Sequence, residues 1–186
     1  PMDDMGHGTH CAGTIAAMTN NGVGVAGICW SAQLVGLKFL DASGSGYISD
    51  ATDALEYANA MGIPITSNSW GGGGYSQAMV DAINEAGIKG YLFIAAAGNS
   101  GMNADTNPMY PAAYTCDNII SVAATGRYDD LRPWSNYGAD SVDLAAPGSL
   151  ILSPLPGNTY DYWSGTSMAT PHVTGVAALL KNRTPN

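Results

Sequence analysis

Charge is what this chain has least of. Only 11% of its 186 residues are Asp, Glu, Lys or Arg, with 6 basic against 15 acidic residues, where about a quarter is usual. So few cations, at a net charge of −9, exclude the clustered basic surface that grips nucleic acid. No stretch of about 18 uninterrupted apolar residues occurs, which argues against a membrane-spanning helix. Cysteine is scarce and odd in number: Cys11, Cys29 and Cys116 cannot close a disulfide framework, and their spacings match no zinc pattern. A single Cys29–Cys116 bridge stays open. No Gly-x-Gly-x-x-Gly run follows a strand and opens a helix, which sets aside a dinucleotide-binding domain. No signal peptide is legible at Pro1-Met2-Asp3-Asp4, where the sequence reads as if in mid-domain.

Glycine, by contrast, is abundant at 24 residues, in a chain long enough for one domain with a substantial core. Residues 33–40 read as a strand that turns at 41–44. Ser49 is placed to cap a helix over 50–61, with Ala51, Leu55 and Ala58 on one face and Gly62 as its stop. A second strand follows at 63–69, then a helix over 76–86 with Met79, Val80 and Ile83 inward and Gly87 closing it. The run 91–97 is apolar without alternation, the mark of a parallel strand covered on both faces. Further strands fall at 119–124 and 142–145, and a last helix spans about 166–181. These repeats predict one α/β domain over 1–186, a doubly wound, mostly parallel sheet with helices on both faces. Its sites belong at the carboxyl ends of the strands.

Two segments at opposite ends of the chain carry the chemistry. Gly6-His7-Gly8-Thr9-His10-Cys11-Ala12-Gly13 and Gly165-Thr166-Ser167-Met168-Ala169-Thr170-Pro171-His172 each place a reactive side chain at the start of a predicted helix. A serine hydroxyl is a poor nucleophile until a neighbouring base takes its proton, so Ser167 with His7 points to nucleophilic acyl transfer. Pro171 is tolerated only near a helix start. Unpaired N–H groups and the positive dipole end there favour developing negative charge. An imidazole titrates near neutrality, which suits His7 to proton transfer. Taken alone, Ser167 reads as a helix cap, and it is the motif around it that points to chemistry; His10 and His172 are further histidines with structural readings. Cys11, one turn after His7, reads as a small buried thiol beneath it.

In order and wording these motifs resemble those of the subtilisin-like serine proteases, the subtilases. The resemblance extends to Asn68-Ser69-Trp70-Gly71, Ala96-Ala97-Gly98-Asn99, Tyr110-Pro111-Ala112, Trp134-Ser135-Asn136-Tyr137-Gly138 and Ala145-Ala146-Pro147-Gly148, covering almost the whole chain. It implies a serine endopeptidase acting through an acyl-enzyme. Ser167 would be the nucleophile and His7 the general base, with Asn99 and the Ser167 N–H holding the oxyanion. It also implies a substrate edge at 67–74, where an extended peptide adds as a strand, and an opposite rim at Gly44, Ser45 and Gly46. Ser69, Trp70 and Gly71 would wall the primary pocket on one side, and Ala96, Ala97 and Gly98 on the other. Neither wall holds an Asp or Glu, so the expected preference is apolar or broad.

Protein or peptide substrates, a propeptide and secretion follow from the same resemblance, with no cofactor for catalysis. Asn20 and Asn21, in the turn 19–25, resemble a family loop that holds a structural calcium ion, although a plain Asn-Gly turn needs no metal. One part of the pattern is missing. Subtilases carry the triad aspartate on an earlier strand, and only six residues precede His7. The expectation is therefore a partial, N-terminally truncated catalytic domain, nearly inactive by itself, since that aspartate fixes the histidine tautomer and stabilises the imidazolium. A protein without it would be a peptide-binding pseudoprotease, the rival reading.

Overall fold

The computed structural model describes residues 2–183. Strands β1 (Ile65–Asn68), β2 (Leu92–Ala96), β3 (Ile119–Thr125) and β4 (Leu144–Pro147) form one parallel sheet in sequence order. Helices α1 (His7–Ala16), α2 (Ile48–Ala60), α3 (Gln77–Ile88) and α4 (Thr166–Arg183) surround it. Side chains alternate along β2, and the two faces find different partners. Phe93 and Ala95 join Leu55 of α2 and Met79 and Ile83 of α3, while Ile94 joins Val122, Ala124 and Ala169 of α4. A strand buried on both faces has no polar side, which is why 91–97 carries no alternation. This is the expected α/β architecture of a mostly parallel sheet with helices on both faces.

Helix α1 packs mainly across α4 and β5. Its approach is close enough that a Cβ on Gly13 would sit 2.2 Å from Pro154 Cδ. Only glycine fits there.

Four expectations differ in detail. Residues 33–40 pair with no strand among the described residues, and an unpartnered run has no ladder to make it a strand. Helix α2 begins at Ile48, with Tyr47 at its cap position; Ser49 lies inside it and its hydroxyl bonds Asp50 instead. Helix α3 is capped by Ser76, whose Oγ accepts from Met79 N at 3.4 Å, but it continues through Gly87 to Ile88. The antiparallel hairpin of β5 (Ile151–Leu155) and β6 (Thr159–Trp163) was not foreseen, because Pro154, Pro156 and Gly157 break its apolar pattern. All three cysteines are free and buried, so Cys29 and Cys116 form no bridge.

Candidate active site

His7 is the first residue of α1, and the turn that presents it is held from outside the helix. Gly6 occupies the cap position in a left-handed conformation (φ 96°) and offers no side chain. Asp3 reaches forward in its place. Its Oδ1 accepts from Met5 N (3.1 Å) and Gly6 N (2.8 Å), and its Oδ2 from Thr9 N and Thr9 Oγ1 (both 2.7 Å). These amides would otherwise be orphans of the first turn. Partial burial works to raise the Asp3 pKa, but the Thr9 hydroxyl and the three amides outweigh it and bring it to about 2.

Burial pushes the His7 pKa below its ordinary value, His10 pushes the same way, and the Asp3 charge pulls it back. His7 Nδ1 lies 3.9 Å from Cys11 Sγ, which also bonds the Ser167 carbonyl at 3.4 Å. Desolvation drives the Cys11 thiol up to about 12, so it stays protonated and inert. The other histidines are engaged elsewhere. His10 is fully buried and stacks on Trp163 at 4.9 Å, with Nε2 facing the carbonyls of Ile151 (3.1 Å) and Asp161 (3.2 Å). Both contacts are acceptors, so Nε2 carries the proton and Nδ1 is left without a partner. His172 Nδ1 faces the Met168 carbonyl at 2.9 Å, within α4.

Ser167 is the second residue of α4 and is tied to the end of β1. Its Oγ donates to Ser69 O (3.2 Å), and Ser69 Oγ donates back to Ser167 O (2.9 Å). Asn99, just past β2, fixes the same helix start: its Oδ1 accepts from Thr166 N (2.8 Å) and Thr166 Oγ1 (3.0 Å). With the amide oxygen so engaged, Nδ2 is the end of Asn99 left for a ligand. His7, Asn99 and Ser167 line one cavity of about 460 Å³ together with Tyr162, Trp163, Ser164, Gly165 and Met168. Among the described residues no hydrogen bond joins His7 to Ser167, and no carboxylate bonds His7.

The wall segments follow β1 and β2. Trp70 is braced by Asn68 Oδ1 (3.2 Å) and packs edge-on against Phe39. Between the walls lies Met109, which no sequence signal singled out. A Cβ on Gly71 would sit 2.4 Å from its Cε, and one on Gly98 2.4 Å from its Sδ. A lone methionine in an irregular loop carries no periodic signature, so only the tertiary structure finds it. Gly44, with Ser45 and Gly46 beside it, meets Met5, two residues before His7. Tyr162 and Trp163 were missed with their hairpin.

Asn20 and Asn21 lie apart from the cavity. Asn20 is exposed (φ 59°), and Asn21 Oδ1 accepts from Val23 N at 3.0 Å. The turn 19–25 has no carboxylate, and among the described residues no three His, Cys, Asp or Glu side chains gather as metal ligands. Its Asn side-chain and backbone carbonyl oxygens are of the kind that contribute to a calcium shell, with no carboxylate of the turn beside them.

A hydroxyl, an imidazole and a free amide N–H₂ around one cleft form the set that acyl transfer requires. The sequence profile of the Subtilase family matches residues 1–186. The chain belongs to the subtilase family. It is 46% identical over 183 residues to thermitase of Thermoactinomyces vulgaris, covering 98% of this chain and 63% of that one. To subtilisin Savinase of Lederbergia lenta it is 45% identical over 185 residues, covering all of this chain and 66% of the relative. A solved structure described as proteases from Pseudoalteromonas arctica PAMC 21717 superposes with a TM-score of 0.86 at 37% identity, covering 96% of this chain and 59% of that one. This subtilase chain thus spans roughly half to two thirds of the relatives it matches. No helix among the described residues is long and apolar enough to cross a membrane.

Proposed function

We propose that the protein containing this chain is a serine endopeptidase and that residues 1–186 are part of its catalytic domain. The observation that carries this reading is the convergence of His7, Asn99 and Ser167 on one cavity, with Asn99 Oδ1 tied to the helix that bears the serine. Ser167 Oγ turns from Ser69 O, passes its proton to His7 and bonds the scissile carbonyl carbon. The oxygen of that carbonyl becomes an anion between Asn99 Nδ2 and the Ser167 N–H. His7 returns the proton to the departing amine, and a water activated by His7 releases the acyl group. Burial suits His7 to the role: with its pKa held down, the imidazole is neutral and able to accept a proton around pH 7.

The third place in the triad is reserved for an aspartate preceding His7 in the whole protein. Protein or peptide chains are the proposed substrates, laid between 67–74 and the rim 44–46, with Met109 favouring apolar side chains in the pocket. Strict cleavage after Arg or Lys in a peptide library would overturn that pocket. A propeptide partner and secretion accompany the reading on family grounds. The second reading, a peptide-binding pseudoprotease, is favoured by one feature: Ser167 Oγ bonds a carbonyl rather than His7. Fluorophosphonate labelling of the full-length protein, mapped by mass spectrometry, separates the two. Label on Ser167 supports the peptidase; none on folded, processed protein leaves the pseudoprotease.

A further inference from the structure

The turn that carries Asn99 is held by a side chain from a distant segment. Asn136 is 2% exposed, and both polar atoms of its side chain bond this turn. Its Nδ2 donates to Ala97 O at 2.9 Å, and its Oδ1 accepts from Ser100 N at 3.0 Å and Met102 N at 3.1 Å. Its backbone N–H adds a fourth bond, to Gly98 O at 2.8 Å. These bonds seize the residues on either side of Asn99 without touching Asn99 itself. Gly98 stands at φ 109°, and a Cβ there would come within 2.4 Å of Asn136 Nδ2. The amide therefore fills the space over the turn as well as bonding it.

A turn that leaves the end of a strand has no ladder to fix it, and its backbone groups need partners from elsewhere. Here Asn136 supplies four of them, beside Thr166 Oγ1, which accepts from Gly98 N, and Trp134 O, which accepts from Gly101 N. We propose that Asn136 is a positioning residue for the oxyanion site: its side chain sets the turn 97–102 so that Asn99 Nδ2 points at the developing anion. The inference rests on the peptidase reading above, in which Asn99 is the oxyanion donor. An amide misplaced by about 1 Å costs of the order of a hundredfold in rate. Asn136 does not meet the substrate, so its loss acts on the chemical step and not on binding.

The test is a double-mutant cycle in the full-length protein. Asn136→Ala is expected to lower kcat by about tenfold or more with KM within about twofold. In an Asn99→Ala background the same change is expected to lower kcat by less than about twofold, because the group that it positions is gone. Equal losses in both backgrounds, or a loss in KM alone, would overturn the proposal in favour of a merely structural role. Asn136→Ser, which keeps one short polar group, gives the same cycle if the alanine variant does not fold. Should the wild-type protein hydrolyse nothing, the peptidase reading fails separately. Amide exchange at Ser100 and Met102 then decides: faster exchange in Asn136→Ala supports the clamp, unchanged exchange overturns it.

Discussion

Helices α1 and α4 each open with one of the two reactive side chains, but their first turns are secured by different physics. At α1 the cap is a charge, the Asp3 carboxylate gathering three amides and a hydroxyl. At α4 the cap is a neutral amide, Asn99 Oδ1, on a buried threonine that the sheet already encloses. The seat of His7 is thus electrostatic and rests on a half-exposed loop, open to salt and acid. The seat of Ser167 is insensitive to charge, yet it shares its anchoring residue with the proposed oxyanion site, so the two cannot be altered independently.

The comparison breaks most sharply at Asn99. Asn99→Ala removes the α4 cap and the amide donor together, and kcat is expected to fall by about a hundred- to a thousandfold, a size known from a subtilisin. Steady-state kinetics and a melting curve on the same variant would show both losses; an unchanged kcat would remove Asn99 from the oxyanion site. Next is Gly13→Ala, whose new methyl would sit 2.2 Å from Pro154 Cδ. It is expected to cost about 1–3 kcal/mol by forcing α1 from the hairpin, measured by denaturant unfolding. Smallest is Asp3→Asn, expected to cost about 1 kcal/mol as a cap lost in part. Its pH signature has a definite sign. The folded pKa of about 2 lies below the ordinary 3.8, so the Asp3 contribution is full above 3.8 and vanishes as pH falls towards 2. The Asn variant should therefore lose less stability than the wild type across that acid window, and its His7 should titrate lower without the carboxylate. Parallel acid limbs would mean that Asp3 does not cap α1.

What the sequence disclosed depended on periodicity, and what it hid depended on contacts. The buried strand at 91–97 and the helix over 76–86 were legible because burial on two faces and an apolar pattern of helical period leave local marks. The cap position of neither α2 nor α3 was read correctly: Ser49 lies inside α2 and Ser76 lies before α3. The strand expected at 33–40 failed because its residues suit a sheet but have no neighbour to pair with among those described. The hairpin was hidden by Pro154 inside its first strand and by Pro156 and Gly157 in its turn. At the site, no periodicity could bring His7 and Ser167 together from opposite ends of the chain; motif resemblance suggested it, and one cavity holds them both. Met109 and Asp3 act through tertiary contacts and a loop that folds back on itself, which no pattern of residue types announces.

His10 ties α1 to the hairpin by two carbonyls and an indole ring, α1 also packs on α4, and the backbone of 27–29 bonds its last turn. The hairpin and α4 come from the last fifth or so of the chain, whereas His7 lies near the start. A chain ending at β4 would therefore keep for α1 only the Asp3 cap and the bonds from the segment 27–29. The stacking partner of His10, the carbonyl acceptor of the Cys11 thiol and Ser167 all lie beyond β4. The seat of the histidine is thus completed from the far end of the chain: the cleft lined by His7, Asn99 and Ser167 takes shape only when the hairpin and α4 are in place.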